Sequence, residues 1–120
     1  MSEQATHAYR MTGGLTLSGR TLEGQAFARA AQLLNDARDA PQNRLQAVKA
    51  LQFNHQLWTL LQTSLLDDGG EMDASLNSSL LSLSVFVDRR TAEALTDADP
   101  ALLDALISIN RNIAQGQLAT

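Results

Sequence analysis

The stretch Leu76-Asn77-Ser78-Ser79-Leu80-Leu81-Ser82-Leu83-Ser84-Val85-Phe86-Val87-Asp88-Arg89-Arg90-Thr91-Ala92-Glu93-Ala94-Leu95 decides the fold class. It holds no Gly or Pro and is too long for an ordinary strand. At about 100° per residue, Leu76, Leu80, Leu83 and Val87 share one stripe of a helix. Leu81, Val85 and Ala92 form a second apolar strip, and Phe86 flanks the first. Ser78, Ser82, Arg89 and Glu93 mark the polar edge. A helix apolar most of the way round is normally surrounded by others, which predicts the central helix of a small bundle. Asp88-Arg89-Arg90 and the serines interrupt the run well short of the ~20 apolar residues that a membrane span needs.

Working outward, 120 residues suit one domain with its own core. A chain with 44% hydrophobic and 18% charged residues fits a globular fold and argues against disorder. Leucine and alanine dominate and aromatics are few, which favours packed helices over a sheet. The net charge of −4 does not favour direct nucleic-acid contact. Cysteine is absent, which excludes disulfides, thiolate catalysis and Cys-based zinc sites. Met1–Gly14 is polar throughout and carries no apolar leader, so a cytoplasmic location is the default expectation.

The expected fold is all-α: a small single-domain helical bundle of about four main helices behind a weakly ordered N-terminal segment. Residues 1–18 form that segment, with Gly13-Gly14 as a joint; the helical domain covers 19–116, and 117–120 form a frayed tail. His7 has no second ligand near it, and Tyr9 either tucks onto the bundle or stays free. The first helix is expected after Thr21 as N-cap, with Glu23 in its first turn. Leu22, Ala26, Phe27, Ala30, Leu33, Leu34 and Ala37 share its broad face. It ends before Pro41, which disfavours helical geometry in the preceding residue.

Pro41 suits the first turn of the second helix, expected to run to about Leu66. Leu51, Trp58, Leu61 and Leu65 make its main stripe; Phe53, Leu57 and Leu60 make a second. Asn54 falls inside this apolar surface, either as a hydrogen-bonded structural amide or as a partner contact. Trp58 is expected in the core with an acceptor for its indole N–H. His55 lies on the polar side without an evident partner.

Asp67-Asp68-Gly69-Gly70-Glu71-Met72-Asp73 is an acidic turn, but it lacks the alternating ligands and distant Glu of a calcium loop. A solvated loop whose Asp73 or Ser75 caps the next helix accounts for it better. Asp99 followed by Pro100 is a strong start for the last helix, and Gly116 a natural stop. In that helix Leu102, Leu106, Ile109 and Ile113 form one stripe; Leu103, Ile107 and Ala114 form another, with Asn110 between them.

No Ser/His/Asp set, Gly-rich phosphate loop or metal-ligand spacing is present, so no catalytic residue, metal or cofactor is expected. The profile favours a binding module over an enzyme.

Several segments, in order along the chain, resemble the FlaF family of flagellar biosynthesis regulators. They are Leu22-Glu23 with the Ala-rich helix, Asn54-His55-Gln56-Leu57-Trp58, Ser82-Leu83-Ser84-Val85-Phe86-Val87-Asp88-Arg89, and Leu106–Gly116 with its Ile-Asn-Arg. Before the third segment, Met72-Asp73-Ala74-Ser75-Leu76-Asn77 departs from the Leu-Pro-x-x-Leu-Arg of the family. The resemblance implies a non-enzymatic role in filament assembly, with flagellin as partner and the regulator FlbT as a possible second. Binding flagellin as an export chaperone or adaptor is the favoured mechanism. Regulation of flagellin expression through FlbT or the messenger RNA, without holding flagellin, is the alternative.

Asn54, Trp58, Phe86 and Asp88 are expected as the structural signature. For a partner surface the second strips are the candidates: Phe53, Leu57 and Leu60 with Leu103, Ile107 and Asn110, and Arg111 and Arg89 at the rim. Left accessible, these strips form a groove for an amphipathic helix of flagellin. The alternative is that they pack against the N-terminal segment or a second copy.

Overall fold

A computed structural model describes residues 17–116, with side chains from Gly24 onward. Every regular element among these is helical: α1 (Leu17–Arg38), α2 (Arg44–Leu66), α3 (Ala74–Thr96) and α4 (Pro100–Ala114). The all-α architecture and its order are as expected. The expectations for His7, Tyr9, the joint at Gly13-Gly14, the tail 117–120 and the Leu22 side chain lie outside the described residues. Leu17 and Ser18 already belong to α1, so Thr21 sits within the helix and is not its cap.

The caps follow local chemistry. Asn43 accepts from Gln46 N at 3.1 Å and starts α2, which corrects the expected start at Pro41. Pro41 lies in the preceding turn; the Asn side chain satisfies an orphan N–H, which the proline ring cannot do. Asp73 caps α3 by accepting from Leu76 N, and Asp99 caps α4 by accepting from Ala101 N, with Pro100 at the first position. Gly116, at φ 74°, ends α4, a backbone state that favours glycine. In the acidic turn Asp68 accepts from Met72 N at 2.7 Å, so this carboxylate and Asp73 both have structural partners.

α1 and α2 are antiparallel neighbours, as are α2 and α3, and α4 returns to pack most extensively on α1. The core is built from Phe27, Ala30, Leu34, Leu51, Trp58, Leu61, Val87, Leu103 and Leu106, among others. Phe27 meets Trp58 edge to face, with ring centroids 5.4 Å apart and planes at 80°. Such a pair adds about 0.5–1.5 kcal/mol beyond the area it buries. Small residues on α1, Ala30, Ala31 and Ala37, are fully enclosed and let α4 come close. Near its N-terminus, a Cβ on Gly24 would stand 3.3 Å from the carbonyl oxygen of Ala114.

Two expectations about the interior need correction. The surrounded helix is α2, with nine buried residues against five for α3. In α3 the buried ridge is Leu80, Ser84, Val87, Thr91 and Ala94, turned away from the expected Leu76–Leu80–Leu83–Val87 stripe. Leu76 and Leu83 lie at its margin, and Val85 from the second strip is 52% exposed. The reason is that Ser84 and Thr91 return their hydroxyls to the carbonyls of Leu81 and Val87, both at 2.7 Å. Satisfied in this way, small polar residues pack inside at little cost and bring α2 close.

The second correction concerns α4. Leu103 and Ile107, the supposed second strip, are 2% and 3% exposed and belong to the core. Leu102, Ile109 and Ile113, from the supposed main stripe, are half-buried against it. Packed on both α1 and α3, α4 has both apolar strips covered.

Candidate functional site

At the meeting point of α2, α3 and α4 lies a buried chain of hydrogen bonds. The Trp58 indole N–H donates to Asn110 Oδ1 at 2.8 Å, and Asn110 Nδ2 donates to Asn54 Oδ1 at 2.8 Å. Asn54 Nδ2 donates to the Thr91 hydroxyl at 3.2 Å, which donates in turn to the Val87 carbonyl. All four side chains are buried. The expected roles of Asn54 as a satisfied structural amide and Trp58 as core with a partnered indole therefore hold. Asn110 had also been placed at a partner surface; it is enclosed here and cannot reach one. Thr91 was missed, and its only sequence signal was a hydroxyl one turn beyond Val87, on the buried ridge.

A second polar group ties α2 to α3 nearer the surface. Gln62 Nε2 donates to Ser84 Oγ and to Asp88 Oδ2, each at 3.0 Å. His55 Nδ1 stands 4.0 Å from Asp88 Oδ1, so His55 does have a neighbour of opposite charge when protonated. Asn77 Nδ2 reaches the Leu65 carbonyl at the end of α2, and Arg44 the Leu95 carbonyl near the end of α3. Both ends of the hairpin are thus pinned across helices. Arg38 at the end of α1 donates to Asp104 of α4, and that bond raises the guanidinium pKa above its ordinary value.

The partner residues expected from the sequence are not brought together. Leu57, Leu103, Ile107 and Asn110 are interior, so the proposed groove along them does not exist. Phe53 is half-buried, and Leu60 stays 50% exposed beside it on the flank of α2. Arg89 is exposed on α3, opposite the buried ridge. Phe86 is 41% exposed on the same helix, with the Arg90 guanidinium 5.0 Å over its ring and Arg90 paired to Glu93. Arg111 lines a different feature, an open groove of about 580 Å³ between α1 and α4. Ala28 and Ala31 belong to its walls, with Gln25 and Gln32 on α1 and Gln115 on α4. Among the described residues no cluster of three or more His, Asp or Glu is placed to hold a metal, and no helix is long and apolar enough to cross a membrane.

A family model described as flagellar protein FlaF matches residues 5–117. The chain belongs to the FlaF family. No curated protein and no solved structure matches it significantly. Three of the four FlaF-like segments quoted above converge in space. One carries Asn54 and Trp58, one carries Val87 and ends just before Thr91, and one carries Asn110. In this FlaF-family chain those motifs therefore hold three helices in register.

Proposed function

We propose that this flagellar protein binds flagellin as an export chaperone or adaptor and receives an amphipathic flagellin helix in the groove between α1 and α4. The family match over residues 5–117 carries this reading. The groove supports it physically. Exposed Ala28 on its wall permits close approach of another helix, and its glutamines offer hydrogen bonds at the edge. Arg111 is exposed and has no ion-pair partner among the described residues, which suits a carboxylate on the incoming helix. Phe53 and Leu60 lie on α2 and take no part in this groove.

The test is size-exclusion chromatography of the full chain with monomeric flagellin and with flagellin lacking its terminal helices. Co-elution with the first and not the second is the expected result. Absence of a joint peak with either would contradict direct binding and move the role to flagellin expression, through FlbT or the messenger RNA.

A further inference from the structure

The groove between α1 and α4 opens at Gly24 and Ala114, close to the start of α1 at Leu17. Along α1 it is about 10 Å from Leu17 to Gly24 and about 22 Å to Gln32. Residues 1–16 precede this helix, and the family match begins at residue 5, so the FlaF pattern takes in most of them. Residues 1–12 include neither Gly nor Pro. At about 100° per residue, Ala5, Ala8, Tyr9 and Thr12 share one side of a helix, and Glu3, His7 and Arg10 share the other. So short a helix is marginal by itself in water and needs a surface for its apolar stripe. Gly13-Gly14-Leu15-Thr16 has the length of a connection between antiparallel helices, with two glycines free to reverse the chain.

We propose that residues 1–12 return as a helix antiparallel to α1 and occupy this groove in the free protein, so that an incoming flagellin helix must displace them. The competition rests on the function proposed above; the docking itself does not. A turn at 13–16 sets Thr12 beside Leu17 and brings Ala5 to the level of Gly24, where Ala114 and Gln115 form the opposite wall. Ala5 and Gly24 carry no more than a Cβ, the small-against-small contact that lets helix axes come close. The Tyr9 ring leans toward its own N-terminus, as helical side chains do, and so toward Gly24, where no side chain takes up the space. A segment tethered at Leu17 acts at an effective concentration of about millimolar, which favours it over a second copy as the occupant.

The test uses the full chain, in which cysteine is otherwise absent. Under mild oxidation Ala5→Cys with Gln115→Cys should close a disulfide within one chain about tenfold faster than Ala5→Cys with Arg29→Cys. Arg29 is also exposed and lies on α1 outside the groove, so it reports on a tether that moves freely. Added monomeric flagellin should slow closure of the first pair. Ala5→Glu with Tyr9→Glu should free the groove and, where the segment covers it about nine-tenths of the time, strengthen flagellin binding about tenfold. Equal closure rates for the two cysteine pairs would overturn the docking. A disulfide formed mainly between chains would overturn it as well and give the groove to a second copy. Flagellin that binds the parent, yet changes neither the closure rate nor its affinity for the Ala5→Glu, Tyr9→Glu variant, would overturn the competition. Flagellin that binds neither chain would refute the proposed function alone, since the cysteine pairs still decide the docking.

Discussion

Asn110 both accepts from Trp58 and donates to Asn54, so its loss leaves two buried polar groups without a partner. Each such orphan costs about 1–3 kcal/mol. Asn110→Ala is therefore expected to destabilise by about 2–4 kcal/mol, the deleted volume included, as read by urea unfolding. Because the amides act in one chain, Asn54→Ala and Asn110→Ala should not add. A double-mutant cycle should return a coupling of about 0.5–3 kcal/mol. Independent effects would mean that the hydrogen-bond chain is not a unit. Thr91→Val keeps the shape and removes the acceptor for Asn54 Nδ2, and should cost about 1–3 kcal/mol. Trp58 is the sole tryptophan, so its emission reports on this site directly and should be that of a buried indole in the parent.

At the scale of elements, α3 and α4 separate what local chemistry specifies from what neighbours decide. Leu103 and Ile107 are enclosed, so Leu103→Glu combined with Ile107→Glu should abolish the folded state, seen as loss of helical circular dichroism. A folded double variant would return these residues to the surface. Val85→Ser, on the outer face of α3, should change monomer stability by no more than about 0.5 kcal/mol. Helix ends were legible in the sequence wherever one residue answers the nearest orphan N–H or C=O, as Asp73, Asp99-Pro100 and Gly116 do. Pro41 and Asn43 offered competing starts for α2, and the cap prevailed because its side chain makes a bond. Which strip of α3 or α4 faces inward was not legible. Ser84 and Thr91 belonged to neither expected strip, because a sequence does not show that their hydroxyls bond to their own helix, and both strips of α4 are apolar enough to bury.

For the whole molecule, the all-helical class followed from leucine-rich periodicity and the absence of strand signals. The expected binding surface did not follow, since an apolar side chain looks the same in sequence whether it fills a core or faces a partner. The fold buries most of the candidates and leaves Arg111 beside a groove that arises from long-range packing of α1 on α4. Ala28 and Arg111 are both exposed on that groove, so replacing them does not threaten the core. The most direct test is calorimetric titration of monomeric flagellin into the parent and into the Ala28→Glu, Arg111→Glu double variant, with helical content checked for both. The parent is expected to bind, and the variant to stay folded with affinity reduced about tenfold or more, given a blocked helix contact and a reversed charge. Equal binding by a folded double variant would contradict the account.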